Sequence, residues 1–141
     1  MSVVPSQILY LEHGSSRLYA EAIQIVDTRH LCWTRPTLLI QGLPEDSSAH
    51  RQEAISAAVL SPDDSRLKLY DLGGCPDLIW PLLLFHVAYD IDFFSLLIQL
   101  KISPNSISQS SSKAQFNAFI HSFWCAHTNT FHSELSSSDV Q

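Results

Sequence analysis

The spacing of hydrophobic and polar positions changes character about midway along the chain. In the first half the apolar runs are short and extended. Ile8-Leu9-Tyr10-Leu11, ending at Gly14-Ser15-Ser16, reads as a first strand or a loosely docked arm. Over residues 17–26, Arg17, Glu21 and Gln24 are spaced like one face of a helix, whereas Tyr19, Ile23, Ile25 and Val26 favour a pleated strand. The following residues decide between them. Leu31-Cys32-Trp33-Thr34 and Thr37-Leu38-Leu39-Ile40 look extended, and Pro36 forbids a continuous helix. Residues 18–26 are therefore read as a strand, joined through Asp27-Thr28-Arg29-His30 into a hairpin. Pro36 puts the second run on a sheet edge or at a bulge. Residues 42–52 read as a polar loop, and 54–60, AISAAVL, as a strand with a helix as the alternative. Ser61-Pro62-Asp63-Asp64-Ser65 is a turn, after which 66–72 alternates cleanly.

The second half opens at Gly73-Gly74 and holds the most apolar run of the chain. Pro81 suits a first helical turn, so a helix is expected over 81–101. Wound as one helix, however, His86 and Asp90 lie nearly opposite Asp92, Ser95 and Gln99. A break at Asp90-Ile91-Asp92, with an aspartate capping the second piece, resolves the conflict. Residues 102–112 read as a serine-rich linker ending in a cap at Ser112. In the last helix, 113–127, Phe116, Phe119, Ile120 and Phe123 follow the i, i+3, i+4, i+7 rule. Residues 133–141 read as a disordered tail. These elements predict an α+β fold, with an antiparallel sheet of four or five strands from the first half packed by helices from the second. The implied organisation is a core over 1–101, a linker over 102–112, a C-terminal helical segment over 113–132 and the tail.

Composition narrows the function classes. The 141 residues are 45% hydrophobic and 16% charged, enough to bury a core. The net charge is −6 and the eight Lys and Arg are scattered, which disfavours a nucleic-acid or membrane-surface role. Residues 82–100 are long enough to raise a membrane span, but His86, Asp90 and Asp92 are costly in hydrocarbon, so the run is read as protein core. The N-terminal residues lack the basic-then-apolar order of a signal peptide. Cys32, Cys75 and Cys125 are odd in number and far apart, which fits free thiols in a cytosolic protein.

Candidate chemistry is sparse. His121 and Cys125 stand one helical turn apart, in line with Asn117, and are candidates to share a metal ion with His127 or His132; the simpler reading is a polar face with a half-exposed thiol. Cys75, on a Gly-Gly-Cys-Pro turn, is the best-placed nucleophile, although such turns are usually only turns. His86 with Asp90 has the spacing of an oriented base and its carboxylate, a pair that more often satisfies the margin of a core. Two of the four glycines form Gly73-Gly74 and none forms a phosphate loop, so no cofactor is implied. Trp33 and Arg35, beside Pro36, are the residue types that anchor protein interfaces. The competing account buries Trp33 and bonds Arg35 to Asp71 or Asp77. The stripe of Phe116, Phe119 and Phe123 is a second partner-binding candidate, docking on its own domain or on another chain.

The blocks RLYAEAIQIVDTRHLCWTRP and LYDLGGCPDLIWPLLLFHVAYDIDFFSLLIQL resemble a family of small conserved cyanobacterial proteins with no established activity. The likeness covers residues 17–41 and 66–101. It implies an intracellular accessory protein of a photosynthetic bacterium and carries over no catalytic residue. The expectation is a non-enzymatic binding or accessory module that contacts a protein partner. The alternatives are a small enzyme built on Cys75 or on a metal at His121 and Cys125, and a homo-oligomer that covers its apolar excess with its own copies.

Overall fold

The computed structural model describes residues 5–61, 66–88, 92–102 and 109–131. Alternation in the first half produces strands β1 (Ile8–His13), β2 (Ser16–Val26) and β3 (Leu31–Gln41), followed by helix α1 (Ser48–Leu60). Strands β4 (Lys68–Asp71), β5 (Leu78–Pro81) and β6 (His86–Val87) follow, then helices α2 (Asp92–Ile102) and α3 (Gln109–Ala126). All pairings are antiparallel, in the order β4-β3-β2-β1-β6. The sixth strand, β5, pairs with Leu31–Thr34 of β3, whereas β4 pairs with Leu38–Gln41, so β4 and β5 lie end to end along one side of β3. The α+β architecture is the one expected, with six strands among the described residues rather than four or five.

The strand over 18–26 and its hairpin are present, closed by a 3-10 turn at Asp27–Arg29. Pro36 does not lie on a sheet edge, since β3 is paired on both sides. It occupies the gap between β4 and β5, where a missing N–H leaves no ladder bond unmade. Opposite Pro36 the register with β2 slips, leaving Thr37 as the extra residue of a bulge. The Thr37 hydroxyl donates to the Tyr19 carbonyl at 3.0 Å, and the Leu72 N–H donates to the Thr37 carbonyl at 3.0 Å. The slip also moves the side chains of β3 by one position. Cys32 and Leu39, seven apart, therefore face the same side of the sheet.

Three expectations are corrected. Residues 54–60 are helical, and the helix already begins inside the stretch read as a loop. Ser47 caps it by accepting the His50 N–H at 3.1 Å, and Ile55 and Ala58, at i and i+3, are its buried residues. The expected helix from Pro81 is instead β5, a 3-10 turn at Leu82–Leu84 and β6. Pro81 is extended at ψ 130°, and Leu78 and Trp80 point inward while Ile79 points out. Helix α2 starts at Asp92; the proposed break at residues 90–91 lies outside the described residues. The last helix starts at Gln109, so the linker does not extend to 112, and Ser112 is buried within the helix rather than capping it. Residues 62–65 of the expected turn, residues 103–108 of the linker, His132 and the 133–141 tail also lie outside the described residues.

The sheet carries a core on each face. On one, Phe116, Phe119, Phe123 and Phe131 from the C-terminal helical segment pack over Leu9, Leu11, Leu18, Ala20, Ala22, Cys32, Leu39 and Trp80. On the other, α1 and α2 cover Tyr19, Leu38 and Ile40 with Ile55, Ala58, Phe93, Leu96 and Leu100. That second layer is incomplete. Cross-strand partners share a face, which places Glu21 with Arg35, and Gln24 with Trp33 and Ile79, on the side of α1 and α2. Here Gln24, Arg35 and Ile79 are exposed, and Glu21 and Trp33 are half-buried. Two helices cover one half of this face and leave the other half open.

Candidate functional site

Trp33 and Arg35 stand two residues apart on β3 and so project from the same open face. One carboxylate organises both. The Trp33 indole N–H donates to Asp77 Oδ2 at 2.8 Å, and Arg35 Nε donates to Asp77 Oδ1 at 3.4 Å. Asp77 lies just ahead of β5, and the pairing of β5 with β3 delivers it to this position. The Arg35 side chain is 57% exposed. Its cross-strand neighbourhood includes Ile79, itself 57% exposed, directly opposite Trp33. An aromatic ring, an aliphatic side chain and a guanidinium thus lie side by side on a rigid surface.

Beside them, where β3 has no strand partner between β4 and β5, a cleft of about 380 Å³ opens. Its wall on the turn between the two strands is Asp71, Gly73, Gly74, Cys75 and Asp77; α2 contributes Leu97 and Lys101. The turn is tied down by the Gly73 N–H donating to Asp71 Oδ1 at 2.8 Å and the Cys75 N–H donating to the Leu72 carbonyl at 3.0 Å. Lys101 Nζ reaches Asp71 Oδ2 at 3.3 Å from the last turn of α2. No sequence signal identified this cleft, because Asp71 and Lys101 lie 30 residues apart and meet only through the docking of α2.

The other candidates separate. The stripe of Phe116, Phe119 and Phe123 is buried against the chain's own sheet, with Phe123 stacked on Trp80 at 5.4 Å, so these side chains are spent in the core rather than offered to a partner. Cys125 Sγ lies 3.7 Å from His121 Nε2 on an exposed helical surface. His127 is engaged elsewhere, with its ring stacked on Phe123 at 4.1 Å and Nδ1 at 3.0 Å from the Phe123 carbonyl. Among the described residues no group of three His, Cys, Asp or Glu is placed to hold a metal ion. His86 is exposed on β6 and stacks on Tyr10 at 5.1 Å; Asp90 lies outside the described residues.

Nor are the Cys75 and Cys32 thiols displaced in the direction a nucleophile needs. Burial pushes the Cys75 thiol above its ordinary value; Lys113 opposes the shift and Asp71 adds to it. Burial raises Cys32 further, to about 11. A catalytic thiolate needs the opposite displacement.

No described helix is long and apolar enough to cross a membrane. No protein-family model matches the chain, and comparison with curated proteins and with solved structures found no match.

Proposed function

We propose that the protein is a non-enzymatic accessory module that binds a protein partner through the open half of its sheet. The observation that carries this reading is the grouping of Trp33, Arg35 and Ile79, with Trp33 and Arg35 held by Asp77, on a face the chain's own helices leave exposed. Trp and Arg contribute most at interfaces when their free-state orientation is already fixed, because less side-chain freedom is lost on binding. The exposed Ile79 supplies apolar area next to them. The resemblance of residues 17–41 and 66–101 to cyanobacterial proteins agrees with an intracellular accessory role in a photosynthetic bacterium.

The test is affinity capture with crosslinking from the native host, comparing the wild-type chain with Trp33→Ala combined with Arg35→Ala. The expected outcome is loss of the partner with a melting temperature lowered by no more than a few degrees, since neither side chain belongs to either core. Equal loss of stability and capture would assign the two residues to the fold instead.

A further inference from the structure

The hydrogen bonds around the cleft leave an imbalance. Each oxygen of the two carboxylates already accepts one hydrogen bond. Asp77 accepts from the Trp33 indole and from Arg35 Nε, and Asp71 accepts from the Gly73 N–H and from Lys101. The cations keep donors in reserve. Among the described residues Arg35 bonds through Nε alone, leaving its two terminal nitrogens, and Lys101 has N–H groups beyond the one given to Asp71. The groups with whole polar atoms still unused are thus the two cations, whereas each carboxylate oxygen is at least partly satisfied, and cationic donors of this kind suit an anionic acceptor.

The charge balance selects among anions. Arg35 and Lys101 against Asp71 and Asp77 sum to zero, within a chain of net charge −6. A monoanion is tolerated there, whereas a phosphate dianion meets two fixed carboxylates and an acidic surround. The planar guanidinium matches a carboxylate in a two-bond fork. Leu97 and Pro36 supply apolar wall, and the space above Gly74 is open, with nothing within 4 Å of where a Cβ would stand. A volume of about 380 Å³ is at the small end of ligand pockets.

We infer that this cleft binds a carboxylate carrying a short apolar group, held between Arg35 and Lys101 with its hydrocarbon against Leu97 and Pro36. Both a free branched-chain acid and the C-terminal residue of a peptide present this chemistry. The inference does not rest on the partner surface: Arg35 borders both sites, but Lys101 belongs to the cleft alone.

The experiment is a titration of the full chain followed by amide proton–nitrogen NMR. The probes are 4-methylpentanoate, an N-acetylated tripeptide ending in Leu, the amide of each, and inorganic phosphate. The expected result is that at least one acid shifts the Gly73, Gly74 and Leu97 resonances in the millimolar range or below, at least tenfold tighter than its amide. Preference for the free acid identifies a small-molecule site, and preference for the tripeptide a C-terminus site; either supports the inference. Lys101→Met and Arg35→Met should each weaken binding at least fivefold without changing the melting temperature, and Lys101→Met should leave partner capture intact. Equal binding of acid and amide, tighter binding of phosphate, no binding of either acid, or indifference to both substitutions overturns it.

Discussion

Cys32 sits on β3 among Ala22, Leu78 and Trp80, and its thiol titrates near 11 instead of its ordinary 9.0 because the thiolate would be stranded in an apolar layer. The sign of the consequence follows from linkage. Between pH 9 and 11 the unfolded chain gives up this proton while the folded chain keeps it, so stability is full below about 9 and falls as the pH rises towards 11. The loss attributable to Cys32 is about 2–3 kcal/mol across that window, read as a difference in urea-unfolding slope against pH between wild type and Cys32→Ala. Alkylation at neutral pH should reach the exposed Cys125 first and the buried Cys32 last, with mass spectrometry following each site. Arg17 shows the opposite outcome in a cation: burial disfavours its charge, but its contacts with Tyr19 and Glu12 outweigh that and hold the guanidinium above its ordinary value. It is 6% exposed, paired to Glu12 at 2.7 Å and stacked over Tyr10 at 4.2 Å, while Glu12 also receives Arg51 from α1 at 3.3 Å. Glu12→Ala leaves a buried guanidinium without its counter-charge and should cost about 2–4 kcal/mol in denaturant unfolding.

Among the elements, α3 was the most legible. The spacing of Phe116, Phe119 and Phe123 marks one apolar stripe, open to the chain's own domain or to a partner; the stripe lies on Trp80 and its neighbours, so the partner-binding alternative is the part that is corrected. Phe123→Ala should cost about 3–5 kcal/mol, whereas Trp124→Ala, at a side chain 38% exposed, should cost clearly less; parallel chemical-denaturation curves check the contrast. The alternation expected over 66–72 is likewise found, with Leu67 and Leu69 towards one core and Tyr70 and Leu72 in the other. Residues 81–87 take the expected helix's place as a strand end, a turn and a short strand; LIWPLLLF is apolar without a break, and period alone cannot separate a strand from a helix in such a run. The deciding fact is long-range: Leu31–Thr34 has an unsatisfied side, and β5 completes it. Residues 54–60 failed for a related reason. Only Ile55 and Ala58 of α1 are buried, so its inward stripe is too thin to show a helical period. Trp33 and Arg35 were visible as an anchor pair and Asp77 as a candidate partner, but the cleft beside them depends on where α2 docks.

At the scale of the whole molecule, the sheet has two apolar faces and neither is stable against water alone. The division of the sequence into a core over 1–101 and a tethered helix leaves open whether that core stands without α3. The packing argues that it does not. Phe116, Phe119, Phe123 and Phe131 are all buried against β1, β2, β3 and β5, and Trp80 meets Phe123 at 5.4 Å and Phe131 at 4.9 Å. At about 1.5–3 kcal/mol for each buried aromatic side chain, the four phenylalanines contribute on the order of 6–12 kcal/mol of burial. That matches the entire net stability of an ordinary domain, about 5–15 kcal/mol. Cutting the chain after residue 108 also exposes Leu9, Leu11, Leu18 and Leu39, which no other described helix covers. The truncated chain should therefore lose its cooperative thermal transition and its near-ultraviolet circular dichroism. It should bind a hydrophobic dye such as ANS, while α1, α2 and part of the sheet keep residual far-ultraviolet signal. Adding residues 109–141 back as a separate peptide should restore the cooperative transition at sufficient concentration, because the groove that Phe116, Phe119, Phe123 and Phe131 fill is specified by Trp80 and the flanking strands. A sharp, dye-free unfolding transition of residues 1–108 alone would show that the open sheet face is tolerated, and that α3 is an attachment to the domain rather than half of its core.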